Sequence, residues 1–511
     1  MVLQTTQILG WSTGVYKVFR KQVFVGLFLS LWISPQGYAE GLTLSDILAA
    51  NFAANPALES SSLQVKMRQA EVEQIEGALD TRYNVSLGVS NEVAPTTSPF
   101  AATETNAAFV AGQVVQPLAD GSSLTASLKY NRAELIYPSS VNPAFQSSPN
   151  PLYQHQIDLI YRYPLVAGSG NPSYNYQKEV AMAEAKAERL KRKLLKEQLA
   201  AQAIALYAQF VLNDLSVQLS EDAVLRAKQL LDDQKKRESF GLVEKEDRFQ
   251  TEALLAARKL QLAQAVAARS EAQTALNRFM YQDSENTLSV KLASPQMQLA
   301  PIASLVKRAK QKRAVFEVLA AQYQAVEARL AMAQAAGDYQ LDVVGQVGTR
   351  ALDGKGSTAF VNGFNPVHDR YIGVSLEFSD VLGNKVNKAV VLKNKLAMES
   401  IQVEQAKASM DLETEIVKLI DALRNADIVL KAAKKQVRAE EKKYYAQVER
   451  YKTGRSPTSI VIQFEGDLRA AELRYLIQQV NKSVSEYQLA LAMGELDALK
   501  EKSVDTSGDM Q

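Results

Sequence analysis

Leu412-Glu413-Thr414-Glu415-Ile416-Val417-Lys418-Leu419-Ile420-Asp421-Ala422-Leu423 decides the fold, because its apolar residues recur by alternating steps of four and three. The ladder runs from Leu412, Ile416, Leu419 and Leu423 on through Ala426, Leu430, Ala433 and Val437, a 3.5-residue period that marks a coiled-coil seam. Leu473, Ile477, Val480, Val484, Tyr487 and Leu491 repeat the spacing near the end of the chain. The ladder sits in an uninterrupted helical stretch, 385–453, and a second stretch of nearly equal length, 174–239, contains neither Pro nor Gly. At ~1.5 Å per residue each is a rod of roughly 100 Å. Alanine-rich segments (Ala200, Ala201, Ala203, Ala205, Ala208; Ala256, Ala257, Ala263, Ala265) favour helix and allow close helix approach. Two such rods belong in a long bundle or a tube.

The chain reads as two copies of one pattern. From Gly241 onward, a shift of 213 residues matches Gly241 with Gly454, Gln250 with Gln463, Glu252 with Glu465, Leu255 with Leu468, Ser270 with Ser483 and Met280 with Met493. Upstream, Gln234 matches Gln447 and Arg237 matches Arg450. The order within each copy is helix, extended segment, very long helix, glycine turn, helix. The expected division is a leader at 1–39, a first repeat at 40–280, a linker at 281–300, a second repeat at 301–494 and a polar tail at 495–511. Within the first repeat strands are expected at about 82–164, the long helix at 174–239 and a helix at 243–280. Within the second, strands are expected at about 339–378, the long helix at 385–453 and a helix at 457–493.

Between the helices the period changes to two. Val85, Leu87 and Val89 alternate with Ser86, Gly88 and Ser90, and Leu124, Ala126, Leu128 and Tyr130 alternate with Thr125, Ser127, Lys129 and Asn131. Ile157, Leu159, Tyr161 and Tyr163 alternate with Asp158 and Arg162, broken at Ile160, and Ile372, Val374, Leu376 and Phe378 alternate with Gly373, Ser375 and Glu377. Such strands suit either a half-buried sheet or a transmembrane barrel, which needs ~9–11 residues per strand. Tyr137, Tyr153, Tyr163, Phe360, Phe364 and Tyr371, expected at strand ends, suit an interfacial aromatic girdle, and the polar segments 138–151 and 353–366 suit outer loops. Arg20 and Lys21, then the apolar run Val23 to Ile33, then Gly37-Tyr38-Ala39, fit a secretory signal peptide cut after Ala39. With an export signal, the barrel is the favoured reading.

Composition narrows the function. Of 511 residues 58 are basic and 56 acidic, so no concentrated cationic face for nucleic acid is expected. A mean hydropathy of -0.16 excludes a bundle of membrane-spanning helices. There is no cysteine, and His155 and His368 are the only histidines. That removes thiol chemistry and leaves little for a metal site or a triad, so neither cofactor, metal nor enzymatic activity is expected.

Leu42-Thr43-Leu44 with Asn55-Pro56-Ala57-Leu58, the strand exit Tyr163-Pro164-Leu165-Val166-Ala167-Gly168, and the turns Phe240-Gly241-Leu242-Val243-Glu244-Lys245-Glu246-Asp247 and Arg450-Tyr451-Lys452-Thr453-Gly454 together resemble the TolC family of outer-membrane efflux proteins, over most of residues 42–494. The resemblance implies a mainly α fold with a membrane β part: a long antiparallel coiled-coil barrel continued by a β-barrel shared by three chains. It implies a homotrimeric exit duct for efflux or type I secretion, set in outer-membrane lipid and crossing the periplasm to an adaptor and an inner-membrane transporter. The runner-up is an exported coiled-coil scaffold without a pore.

The resemblance also places a gate at the helix tips. The family's first-turn aspartate falls on Asp247 and its second-turn tyrosine on Tyr451; its gate arginine falls on Ser456, with Arg455 next to it. Gln250 and the matching Gln463 complete the gate candidates, and Gly241, Leu242, Val243, Gly454 and Arg455 are the candidate adaptor contacts. Acids that some members carry past the second turn are here Ile460 and Gln463, which makes a cation-binding ring doubtful. Gln116-Pro117-Leu118-Ala119-Asp120-Gly121 imitates a strand exit but is followed by another alternating strand. Asp120-Gly121 is expected to be a hairpin turn that gives the first repeat an extra strand pair.

Overall fold

The computed structural model describes residues 41–94, 98, 100–146, 149–295, 300–365 and 369–495, which from Leu42 onward form one unit. The leader expected at 1–39, nearly all of the expected tail, and His368 lie outside the described residues.

The first half opens with α1 (Leu44–Ala54) and α2 (Pro56–Glu76). Thr43 starts α1 in a capping box: its hydroxyl accepts the Asp46 amide at 3.3 Å while the Asp46 carboxylate accepts the Thr43 amide at 3.0 Å. Asn55 caps α2 by accepting from the Ala57 amide at 2.9 Å, and Pro56 supplies a first residue that needs no amide partner. Four strands follow, β1 (Arg82–Val93), β2 (Glu104–Pro117), β3 (Ser123–Ile136) and β4 (Leu152–Pro164), then α3 (Pro172–Ser239) and α4 (Lys245–Phe279). The second half has α5 (Ile302–Lys312), α6 (Ala314–Ala335), β5 (Gln340–Asp353), a short α7 (Gly356–Gly363), β6 (Arg370–Ser379), α8 (Lys385–Lys452) and α9 (Thr458–Ala492).

The halves correspond closely. α3 and α8 are both 68 residues long, and α4 and α9 are both 35. Their termini also match: Ser239 with Lys452 and Phe279 with Ala492 stand 213 residues apart. Both long helices end on a left-handed glycine, Gly241 (φ 68) and Gly454 (φ 72). In each the following amide returns to the last turn, Leu242 to the Arg237 carbonyl at 2.9 Å and Arg455 to the Arg450 carbonyl at 2.8 Å. α6 has no side-chain cap of its own; Glu197 of α3 accepts the Ala314 amide at 3.0 Å instead. Burial raises the pKa of that carboxyl.

The six strands form one antiparallel sheet in chain order, β1-β2-β3-β4-β5-β6. Its registers put Val85, Val110, Leu128, Ile157, Val347 and Ile372 on one face, and Ser86, Gln113, Ser127, Asp158, Gln346 and Glu377 on the other. The first face is predominantly apolar and the second predominantly polar; β2 is mixed, with Phe109 and Val115 on the polar face and Glu104 and Asn106 on the apolar one. The polar face carries its own network: Arg162 bonds Asp342 at 2.8 Å and Glu377 at 2.6 Å, and Gln156 bonds Asp158 at 2.9 Å. The β2–β3 hairpin turns at Asp120-Gly121 as expected. Gly121 (φ 88) packs so closely on the Gly168 carbonyl oxygen that a Cβ would lie 2.1 Å from it.

One expectation is corrected. Phe360 and Phe364 are not at strand ends; 356–363 forms α7, which lies back on the apolar face over β4 and β5. Phe360 stacks on His155 with centroids 5.0 Å apart, and Phe364 approaches the same ring at 4.9 Å. Gly363 is required there, because any Cβ would collide with the His155 ring.

The helices bury three cores. Tyr207, Phe210, Ile204, Leu276 and Tyr487 form the first, where the inter-repeat segment crosses the helices. The Tyr207 hydroxyl donates to the Lys291 carbonyl at 2.6 Å and accepts the Ala293 amide at 3.0 Å. Leu412, Ile416 and Leu423 of the coiled-coil ladder, with Ile420 beside them and Leu419 only partly buried, meet Leu305 and Ala309 in the second. The third lies near the two glycine turns.

Candidate functional site at the helix tips

The end of α3, the start of α4, the end of α8 and the start of α9 converge on a core of Ala227, Leu230, Leu254, Tyr444, Tyr451, Val461 and Leu468. Tyr444 and Tyr451 are its polar members, and Tyr451 is the more deeply placed. It is buried, its hydroxyl donates to the Gln234 side-chain carbonyl, and the Arg237 guanidinium lies 4.2 Å from its ring centroid. Burial raises the Tyr451 pKa and pushes that of Tyr444 up to about 12. Both phenols therefore stay protonated and available as donors at neutral pH.

The other sequence-derived candidates are spread over the tip surface. Asp247 is half-buried in the first turn of α4, and its carboxylate acts on Tyr451 through space, since the Tyr451 hydroxyl is engaged by Gln234. Ser456 is half-buried and accepts from the Gln447 side-chain amide. Arg455, Gln250 and Gln463 are exposed, and Ile460 is half-buried. Gly241, Leu242 and Gly454 are exposed at the turns, with Val243 half-buried. Leu242 and Phe240 present bare apolar side chains at the tip, 71 % and 76 % exposed.

Two features escaped the sequence reading. The repeat-matched glutamines Gln234 and Gln447 each hold a tip residue, but different ones, because the partners Tyr451 and Ser456 have no like counterpart in the first repeat (Glu238 and Val243). The second is a buried ion network one step above the tip. Glu465 of α9 is 1 % exposed and bonded by Arg258 of α4, at 3.0 Å through Nε and closer through Nη2. Arg226 of α3 bonds Glu472 at 3.0 Å and reaches Glu465 at 3.6 Å. Burial lowers the pKa of the neighbouring Arg469. Glu252, the repeat mate of Glu465, is only half-buried beside Arg248. The repeat thus marked Glu465 but gave no sign of its burial.

Among the described residues no group of three or more acidic or histidine side chains is placed to hold a metal ion, and no helix is long and apolar enough to cross a membrane. The arrangement can hold helix pairs together through a few hydrogen bonds and ion pairs.

No family model matches the chain, and no curated protein matches it in sequence. Solved structures do match. The outer-membrane channel OprN superposes with a TM-score of 0.63 at 14% identity, covering 89% of this chain and 90% of that one. The outer membrane protein VceC of Vibrio cholerae gives 0.62 at 12% identity, covering 88% and 96%. The open state of the Neisseria gonorrhoeae MtrE outer membrane channel gives 0.61 at 15% identity, covering 88% of each. The fold of this chain is the fold of these channels, along nearly the whole length of both partners.

Proposed function

We propose that the chain is a TolC-family subunit of a passive exit duct, three copies of which share one β-barrel in the outer membrane and one helical tunnel beneath it. The observation that carries the reading is the sheet: one face predominantly apolar, the other predominantly polar, and both edge strands open. In lipid every backbone group needs a partner, so a six-stranded sheet must close with strands from other copies. The helices support the same reading. Leu396, Val403 and Met410 of α8 follow one another at heptad spacing and are each more than half exposed, an apolar seam that awaits a neighbouring helix. The chain carries no catalysis in this reading, and transport energy comes from an inner-membrane transporter reached through an adaptor. The duct serves efflux or type I secretion.

Asp247, Gln250, Tyr451, Arg455, Ser456 and Gln463 would form the closed mouth, and the turns at Gly241, Leu242, Val243, Gly454 and Arg455 would meet the adaptor, which the bare Leu242 side chain favours. Purified protein reconstituted in planar bilayers tests the reading. It should run as a trimer and conduct ions; a trimer or monomer that never conducts would leave a scaffold in its place.

A further inference from the structure

The two halves begin in step and fall out of step inside the sheet. Leu44 to Ile302 and Arg82 to Gln340 are both separated by 258 residues, whereas Pro172 to Lys385 are separated by 213. The first half therefore carries 45 more residues between its short helices and its long one. Those residues supply one extra strand pair.

The extra strands belong to the wall. β2 pairs along its length with β1 and β3; it places Ala108, Val110 and Val114 beside Leu124, Ala126 and Leu128 of β3 on the apolar face and Thr105 and Gln113 beside Thr125, Ser127 and Lys129 opposite, although Phe109 and Val115 of β2 also face the polar side. A soluble insertion would have left the sheet instead of prolonging both of its faces.

We propose, on the trimeric reading above, that the barrel closes with eighteen strands, six from each of three copies, through antiparallel pairing of β6 of one copy with β1 of the next. Two strands from each half would have given twelve. Four features of the edges fit this partner. An even number of strands leaves β1 and β6 running in opposite senses, so the new pair is antiparallel like every other in the sheet. β1 spans 12 residues and β6 spans 10, both long enough to cross the hydrocarbon. On both edges the apolar face is bare, Val89 87 % and Ile372 84 % exposed, so pairing keeps the lipid-facing side continuous. At the helix-proximal end Arg82 of β1 and Glu377 of β6 lie on the same polar face, and the seam brings these opposite charges together. Barrel diameter grows about linearly with strand number, and about 18 strands leave an aqueous channel.

The absence of cysteine makes the seam testable. Facing residues in an antiparallel pair lie about 4.5–5.5 Å apart between Cα atoms, within disulfide range. Leu87→Cys combined in turn with Ile372→Cys, Val374→Cys or Leu376→Cys should, in one register, oxidise to a covalent trimer in outer membranes. Imaging of the purified trimer in lipid should then show six strands in each third of the wall. A conducting trimer whose wall holds twelve strands, or whose three cysteine pairs all fail to link copies, overturns the eighteen-strand barrel while leaving the duct intact. A protein that neither assembles nor conducts removes both.

Discussion

At the scale of single residues the tip is held by few contacts, so each should be separately measurable. Tyr451→Phe removes one buried hydroxyl bond to Gln234, worth about 1 kcal/mol. We expect raised single-channel conductance with trimer stability nearly unchanged; conductance equal to that of the unmodified protein would take Tyr451 out of the gate. Glu465→Gln should act oppositely, because it strands the Arg258 guanidinium. Breaking a buried pair in this way costs about 3–5 kcal/mol, read as a lower temperature at which the trimer dissociates. Glu486 of α9 gives a pH dependence. Burial pushes its pKa up to about 7, and the nearby Lys482 is 2.7 Å from Asp427 and 3.9 Å from Glu486. A carboxyl whose folded pKa is raised is destabilising when charged, so its contribution worsens as pH rises from about 4.5 through 7 and then levels off. Glu486→Gln should raise the melting temperature at pH 8 and leave it unchanged at pH 4; equal shifts at both would rule out titration as the cause.

At the scale of elements, the repeat leaves an uneven trace that can be tested. Gly494 ends α9 in the left-handed region at φ 71, while the corresponding residue after α4 is Tyr281 at φ 58. Both close the same hydrogen bonds, Gln282 to the Asn277 carbonyl and Glu495 to the Ala490 carbonyl, each at 3.0 Å. A non-glycine residue pays about 1–2 kcal/mol there. Tyr281 is half exposed and loses little packing, so Tyr281→Gly should stabilise by about 0.5–1 kcal/mol, measured by the urea midpoint of the first-repeat helices. The long helices, both glycine turns and the β2–β3 hairpin were legible in the sequence because periodicity and left-handed glycines are local signals. α7 was not, since Phe360 and Phe364 owe their helix to the distant His155. The Glu465 network was not either, because its arginines come from α3 and α4, 207 residues and more away. Asp247 and Tyr451 were named together from the turns, yet the nearest partner of Tyr451 turned out to be Gln234, one helix turn before Glu238.

At the scale of the whole molecule, α3 buries side chains along much of its length, whereas α8 buries only Leu412, Ile416, Ile420, Leu423, Tyr444 and Tyr451. One long helix is an inner member of the chain's own bundle and the other stands at its margin. Leu396→Glu with Val403→Glu should therefore abolish trimers on gel filtration in detergent while α3 and α4 remain helical by circular dichroism; trimers that persist would place the margin elsewhere. The uncapped rows of amide and carbonyl groups on β1 and β6 have a further consequence. A lone chain in water carries two sticky, ten- to twelve-residue templates, so every newly made copy faces a choice between correct partners and runaway stacking into insoluble fibrils. If the proposed trimeric barrel holds, yield should then fall when synthesis outruns insertion, because the two margins stay open until three copies meet.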